Sequence, residues 1–159
     1  VFEAVETGPL SWRELDISVL PGITAMLAAA ARLGAPLGHD FCVINLSDNL
    51  KPWSIIETRL RLAVEADFAM AFYNPRSKAR PEGFEKALDL LKSACEKERL
   101  IMFARAVSTP EESLHTVALS DATPDMADMR TMVLVGSRQT RLIPGENAAP
   151  IVYTPRSMR

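Results

Sequence analysis

The chain is poor in the residues that build metal, disulfide and phosphate sites. It contains two histidines and two cysteines, Cys42 and Cys95, which are far apart and show no Cys-x-x-Cys spacing. We therefore expect two reduced thiols, a cytoplasmic protein and no metal site. The seven glycines form neither a Gly-x-Gly-x-x-Gly nor a Walker sequence, so the chain itself predicts no classical dinucleotide or P-loop site.

A positive net charge and a long apolar run are also missing. The formal net charge of −2 argues against a partner held by bulk phosphate attraction, so we expect no nucleic-acid partner. No apolar run reaches the length of a membrane span, and the opening Val1-Phe2-Glu3 has no basic leader, so we expect neither a membrane partner nor a signal peptide. With 159 residues, 48% of them hydrophobic, the chain can form one domain with its own core, or one domain and part of another.

The chain does contain a series of short apolar runs that alternate with helical patterns, which is typical of an α/β fold. Strands are predicted at 16–20, 41–46, 68–73, 100–107, 114–119 and 132–135, and 149–153 is compatible with a last one. Helices are predicted to end near residue 6, to span 23–33 and 81–97, and to begin at Ser54. Because the late strands lack crossover helices, the order after residue 39 predicts one α/β layer on a mixed sheet, with 41–46 and 68–73 buried on both faces.

Small or polar residues stand where four of these buried segments end or turn. They are Thr24-Ala25, Tyr73-Asn74-Pro75, Ala106-Val107-Ser108 and Gly136-Ser137. A strand that turns sharply on Leu20-Pro21-Gly22 into a helix leaves free backbone N–H groups at the strand's carboxyl end, where α/β proteins bind ligands. These ends suit a planar polar ligand, although proline and glycine at strand ends are also ordinary turn residues.

Several arginines lie beside or just after the strand ends rather than along helix faces. They are Arg76, Arg80, Arg105, Arg138, Arg141 and Arg156. Because the planar guanidinium pairs bidentately with carboxylates, such a set suits a ligand with many carboxylates. The alternative is a solvated rim of weak surface ion pairs.

Other candidates for catalysis have simpler explanations. Glu111 and Glu112 follow Thr109-Pro110 and are explained as the first turn of a capped segment. Ser137 is not part of a Gly-x-Ser-x-Gly nucleophile elbow. Trp12 and Trp53 are interpreted as packing residues. The sequence therefore identifies no catalytic acid, base or nucleophile.

Taken in order, four segments resemble one family, the S-adenosylmethionine-dependent tetrapyrrole methyltransferases of cobalamin and sirohaem synthesis. The segment 20–25, Leu-Pro-Gly-Ile-Thr-Ala, resembles the family's Pro-Gly-(Ile/Val)-(Ser/Thr)-Ala turn. The segment 73–80, Tyr-Asn-Pro-Arg-Ser-Lys-Ala-Arg, resembles the Tyr-Asn-Pro-x-Ser-x-x-Arg of the subgroup that methylates carbon 17 of precorrin-3B, and 135–141 and 153–156 resemble that subgroup's final segments. Siblings such as uroporphyrinogen-III methyltransferase usually carry Tyr-Met-Gly in place of Tyr73-Asn74-Pro75.

The resemblance implies two α/β domains with the cofactor S-adenosylmethionine bound between them. Residues 1–38 would be the remnant of an N-terminal α/β domain, comprising its last strand and helix, and 39–159 the C-terminal domain, with the break Ala35-Pro36-Leu37-Gly38 as the linker. The isolated chain would then lack half of the cofactor cleft and be inactive. Carried over by position, the cofactor contacts fall on Thr24, Ala25, Asn74, Val107 and Thr131, with Tyr73, Ala106 and Met132 as immediate neighbours.

The substrate that the resemblance implies is a tetrapyrrole polycarboxylate, methylated at carbon 17 with contraction of the macrocycle, and the protein would be a homodimer. Arg76, Arg80 and Arg138 are the residues expected to hold the carboxylates. Cobalt-containing and cobalt-free substrates both fit the motifs. The alternatives are another precorrin or uroporphyrinogen-III methyltransferase, or a non-catalytic folding and dimerisation module. RNA methylation, which relatives of this fold perform, is disfavoured by the weak acidity.

Overall fold

The computed structural model describes residues 1–77, 81–146 and 148–157. The α-helices are α1 (Phe2–Thr7), α2 (Ala25–Leu33), α3 (Trp53–Glu65) and α4 (Glu82–Ala94). The strands are β1 (Gly34–Ala35), β2 (Phe41–Asn45), β3 (Ala69–Tyr73), β4 (Leu100–Arg105), β5 (Ser113–Ala118), β6 (Thr131–Val135), β7 (Arg141–Ile143) and β8 (Ile151–Tyr153). Short 3-10 helices occupy Leu10–Glu14, Leu119–Asp121 and Pro124–Met126.

The central sheet has five strands in the order β2-β3-β6-β4-β5. The strands β2 and β3 are parallel and connected through α3, whereas β6 runs antiparallel to both β3 and β4, and β5 runs antiparallel to β4. The predicted mixed sheet is therefore confirmed. The carboxyl ends of β2, β3 and β4 meet the amino end of β6 at one end of the sheet, which we call the site end. Loops at the carboxyl ends of strands are where open α/β sheets bind ligands.

Helices α3 and α4 cover one face of this sheet with large apolar side chains. Ile56 and Leu60 on α3 and Phe84 on α4 belong to one buried cluster with Phe72 and Phe103 of the sheet. The rings of Phe84 and Phe103 meet edge to face, with centroids 6.0 Å apart. Alternate residues along a strand point to opposite faces, so this cluster uses every second residue of β3 and β4.

Helix α2 covers the other face with small side chains. Ala29 and Ala30 are buried in a cluster that includes Ala71 and Ala104 of the sheet. The alanine side chains let the helix backbone lie close to the strands, beside larger members of the same cluster such as Met102 and Leu134. The helix ends at Gly34, whose φ of +127° is open to glycine and strained for other residues.

The predicted strand at 16–20 is wrong. This segment belongs to no strand, and Val19 and Leu20 are 75% and 86% exposed. An apolar run becomes a strand only when a neighbouring strand supplies hydrogen bonds, and nothing in the described ranges pairs with these residues.

The strand β2 forms where the sequence predicts it, but its expected burial on both faces is wrong. Phe41 is 39% exposed and Val43 is 47% exposed, whereas Ala69 to Phe72 of β3 are buried as predicted. The difference arises because β2 is an edge strand and α2 lies over the middle of the sheet.

A second, smaller sheet was not predicted as such. The strands β1, β8 and β7 form it in that order, with β1 parallel and β7 antiparallel to β8. The strands are two or three residues long, too short for an alternation pattern. Gly34 and Ala35 pair with Val152 and Tyr153, which attaches the segment after α2 to the end of the chain. The division into domains at residue 38 stays a prediction.

Candidate active site

A cavity of about 300 Å³ lies at the site end of the sheet, between α2 and the ends of β3, β4 and β6. We call it the central cavity. Seven of the eight residues assigned to the cofactor by resemblance line it: Ala25, Tyr73, Asn74, Ala106, Val107, Thr131 and Met132. The eighth, Thr24, occupies the N-cap position of α2 directly before Ala25. Four segments that are distant in sequence therefore converge on one cavity.

The amino-terminal end of α2 forms one side of this cavity, and polar contacts fix its position. The backbone N–H of Met26 donates to the Tyr73 hydroxyl over 3.3 Å, which ties the first turn of α2 to the last residue of β3. Farther along the helix, Arg32 forms an ion pair of 2.7 Å with Glu112 in the loop after β4. The helix is thus attached to the last residue of β3 and to the loop that follows β4.

Two strand ends at the cavity have a left-handed backbone without glycine. Asn74 directly follows β3 and Ala106 directly follows β4, and each has a φ of +50°. Alanine in this conformation costs on the order of 1–2 kcal/mol, because its Cβ approaches the following carbonyl oxygen. The Ala106 N–H donates to the Arg130 carbonyl over 2.9 Å, and the Asn74 side-chain amide donates to the Asn45 side chain over 3.1 Å. These bonds hold both strand ends in place.

The third side of the cavity is the segment before β6, which is organised around the carboxylate of Asp128. This carboxylate accepts hydrogen bonds from Arg105 Nε at 2.8 Å, Thr131 Oγ1 at 2.7 Å and the Arg130 N–H at 2.9 Å. Partial burial alone would raise the pKa of Asp128, but these hydrogen bonds outweigh it and lower the pKa. The anion therefore persists at neutral pH and keeps residues 128–131 in one conformation.

The lining of the central cavity combines small side chains, which leave space for a ligand, with polar groups. Alanines at positions 25, 28, 104 and 106 leave space beside the sheet, while the Asn74 side-chain amide supplies a donor and an acceptor. Such a lining fits a cofactor with a flat ring and several polar groups, which needs close approach as well as hydrogen bonds.

Sequence reasoning missed four residues of this lining: Ala28, Ala104, Met129 and Arg130. Ala28 lies one helical turn after Ala25, so the period of the helix predicts that both residues lie on the same face. Met129 and Arg130 directly precede Thr131, and their side chains reach the cavity through the turn that Asp128 stabilises.

Two further cavities adjoin the central cavity. One of about 530 Å³, which we call the Trp53 cavity, lies between the ends of β2 and β3 and the start of α4, and it shares Asn74 and Met129 with the central cavity. Lys86 Nζ lies 5.9 Å from the Trp53 ring centroid at this site. The other, of about 450 Å³, contains Arg76, Asp128 and Met129, and we call it the Arg76 cavity.

The three arginines expected to hold substrate carboxylates do not lie together. Arg76 lines the Arg76 cavity beside the central cavity, and one of its N–H groups lies 3.5 Å from the Pro124 carbonyl. Arg80 lies outside the described residues. Arg138 follows β6 at the opposite end of the sheet, where its Nε pairs with Glu96 at 2.8 Å. The geometry groups Arg76 with the cavities and separates Arg138 from them.

The two glutamates after β4, which the sequence explains as the first turn of a capped segment, have ion-pair partners, and no helix begins at residues 109–112. Glu112 accepts a hydrogen bond from the Ser108 N–H at 2.8 Å and pairs with Arg32, and these contacts lower its pKa. Glu111 pairs with Arg130, on the rim of the central cavity. Both carboxylates therefore orient basic side chains around the site.

Within the described ranges, no three or more histidine, cysteine, aspartate and glutamate side chains come close enough to hold a metal ion. In the same ranges, no helix has the length and apolar character needed to cross a membrane.

Comparison with known proteins identifies relatives over nearly the whole chain. It is 49% identical over 156 residues to precorrin-3B C(17)-methyltransferase of Sinorhizobium sp, covering 98% of this chain and 61% of that protein. The crystal structure of the methyltransferase CobJ superposes with a TM-score of 0.89 at 61% identity, covering 97% of this chain and 62% of that one.

A more distant structure shares the fold. Uroporphyrin-III C-methyl transferase from Thermus thermophilus, solved in complex with S-adenyl homocysteine, matches with a TM-score of 0.55 at 19% identity, covering 80% of this chain and 55% of that one. The chain thus spans about three fifths of the length of the precorrin-3B C(17)-methyltransferase and of the CobJ chain that it matches. The model of the tetrapyrrole (corrin/porphyrin) methylases matches residues 4–123, and the chain belongs to this family.

Proposed function

We propose that this chain forms one wall of an S-adenosylmethionine cleft in a methyltransferase that acts on a tetrapyrrole. The methyl group would go to carbon 17 of precorrin-3B or of its cobalt-containing counterpart, with contraction of the macrocycle. The observation that carries the proposal is the convergence of seven resemblance-assigned residues on the central cavity. The chain spans three fifths of the length of its relatives. The activity is therefore proposed for a protein of the relatives' full length, in which this chain supplies one wall of the site.

Among the described residues, the lining of the central cavity contains no acid–base pair, and the chemistry explains why. The sulfonium of S-adenosylmethionine supplies an already electrophilic methyl group, and a reduced tetrapyrrole supplies an electron-rich carbon. The chain's own residues then have to align the two molecules and exclude water. The alanines of the central cavity allow close approach, and the Asn74 side-chain amide orients polar groups of the bound cofactor.

The proposed cofactor site is tested by a titration with S-adenosylhomocysteine, followed by amide nuclear magnetic resonance. We expect saturable shifts at the central cavity, with an affinity weaker than micromolar because the resemblance implies a second wall. In Ala28→Trp an indole fills part of the cavity, so the affinity should fall at least tenfold, about 1.4 kcal/mol.

The matched control is Ala31→Trp, which adds the same side chain to an exposed position of α2 outside the central cavity. It should bind like the wild type. Equal binding by the wild type and Ala28→Trp, or shifts confined to residues outside the cavity, would contradict the proposed site. Micromolar binding by the wild type would contradict the expectation that a second wall contributes to cofactor affinity.

The substrate side of the proposal predicts a difference between two arginines. Uroporphyrin III, a tetrapyrrole with many carboxylates, is the probe, and its binding is followed by absorbance. Arg76→Ala should weaken binding about fivefold, because a guanidinium beside the cavities would pair with a carboxylate. Arg138→Ala should leave binding unchanged, since Arg138 lies at the other end of the sheet. Equal effects of the two variants would remove Arg76 from the substrate site.

The homodimer implied by the resemblance is also a proposal. Light scattering on the purified chain gives its mass in solution, and a monomer at all concentrations would contradict a dimer formed by these residues alone.

A further inference from the structure

Met129 lies where the three cavities meet. Its side chain lines the central cavity of about 300 Å³, the Trp53 cavity of about 530 Å³ and the Arg76 cavity of about 450 Å³. The proposed alignment of cofactor and substrate assigns no role to this side chain. A side chain shared by three adjacent cavities contacts a ligand in any of them, so its position bears on how two ligands would meet.

The backbone around Met129 is fixed although its side chain is free to reach into the cleft. On one side, Asp128 is bound by Arg105 and by Thr131. On the other side, the Arg130 N–H donates to the Asp128 carboxylate, and the Arg130 carbonyl accepts from Ala106. The two residues that flank Met129 therefore hold its Cα at a set distance from β4 and β6.

The chemistry of the side chain is unusual for so exposed a position. Met129 is 57% exposed, and its neighbours in chain and space are charged: Asp128, Arg130 and Arg76. Exposed methionine in a polar cleft offers a flexible, polarizable surface that can adapt to a flat apolar face. The charged groups around it would meet the polar periphery of such a molecule.

We propose that Met129 is a positioning residue that separates the cofactor from the substrate and packs against the face of the tetrapyrrole macrocycle. This inference rests on the proposed function, because it takes the central cavity as the cofactor site. The macrocycle lies over the Met129 methyl on the side of the Arg76 and Trp53 cavities, with its carboxylates toward Arg76. The thioether makes no bond to either ligand and acts by contact.

Labelling the methionine methyl groups with ¹³C tests the inference, because each methyl gives one resonance and the chain has seven methionines. Of the three cavities, Met132 lines only the central one. Met70 and Met102 are fully buried in the core and serve as internal controls. With S-adenosylhomocysteine, the Met129 and Met132 methyls should shift. With uroporphyrin III, the Met129 methyl should move upfield under the ring current of the macrocycle, and Met132 should stay in place.

Two results overturn the inference in distinguishable ways. If Met132 responds to S-adenosylhomocysteine and uroporphyrin III binds without moving Met129, the positioning role fails and the cofactor site stands. If neither ligand moves Met129 or Met132, the proposed function fails as well. The Met129→Leu variant assigns the resonance by its loss.

Variants of Met129 separate contact from structural effects. Met129→Ala should weaken uroporphyrin III binding about fivefold to tenfold and leave urea unfolding unchanged, because the side chain is exposed. Met129→Leu keeps an apolar surface of similar volume and should restore binding to within about twofold of the wild type. Weak binding by both variants, or a fall in stability that parallels the loss of binding, would contradict a role through contact with the macrocycle.

Discussion

Replacing Phe103 by alanine is expected to lower the free energy of unfolding by about 3–5 kcal/mol. Phe103 is 1% exposed at the centre of β4, and its ring packs edge to face on Phe84 of α4. The truncation loses the transfer free energy of the ring and leaves a cavity that β4 cannot close, because this strand is paired on both sides. Since domains are stable by only about 5–15 kcal/mol, the variant loses a large share of its stability.

Urea unfolding followed by circular dichroism measures this loss. Phe2→Ala is the matched control, because it removes the same ring from a position that is 61% exposed on α1, and it should change stability by less than about 0.5 kcal/mol. A loss below about 1 kcal/mol for Phe103→Ala would mean that α4 does not pack on the sheet as described. Ligand binding at the central cavity should weaken too, because Ala104 of β4 and Ala106 directly after it line this cavity.

The parts of the fold that could be predicted are those whose own residue pattern is distinctive. The strand β3 is a short continuous apolar run and is buried on both faces, and α4 carries a clear apolar stripe at helical spacing, so both follow from the local hydrophobic pattern. The strand expected at 16–20 fails because pairing is a property of two segments. Ile17, Val19 and Leu20 favour a strand there, but no neighbour in the described ranges completes a ladder.

The candidate site could be predicted only in part, because its position depends on the direction in which each strand runs. Residues that follow β3 and β4, and those that begin β6, were grouped by resemblance, and they converge because β6 runs antiparallel to its two neighbours. The same antiparallel direction sends residues after β6 to the opposite end of the sheet. Arg76 and Arg138 both follow a strand, and sequence order alone does not reveal in which direction each strand runs.

The cluster around Arg99 at that opposite end is expected to have the second large effect on stability. The Arg99 side chain is 1% exposed and binds Asp67 at 3.0 Å, Glu96 at 2.8 Å and the Gly136 carbonyl at 3.3 Å. Removing one partner of a buried ion pair costs about 3–5 kcal/mol, because the remaining charges lose their compensation. Asp67 and Glu96 are 29% and 46% exposed, so water relieves part of this cost, and we expect about 2–3 kcal/mol for Arg99→Ala.

The control for Arg99→Ala is Arg61→Ala, which breaks the exposed pair with Glu57 on α3 and should cost about 0.3–0.5 kcal/mol. Equal losses in the two variants would mean that burial does not strengthen the Arg99 cluster. The pH dependence of the free energy of unfolding in urea is a second, independent test, because the Arg99 cluster favours the charged form of the Glu96 carboxyl.

The pKa of Glu96 lies below its ordinary value of 4.5, first because its own backbone N–H donates to the carboxylate and then because Arg99 does. A depressed pKa in the folded state contributes stability above the unfolded value, and this contribution is lost as the pH falls through the folded value. The wild type should therefore lose stability as the pH falls below about 4.5. Arg99→Ala should lose less over the same range, so that the two unfolding curves approach each other in acid. Parallel pH profiles would show that Arg99 contributes by packing its apolar stem and not by its charge.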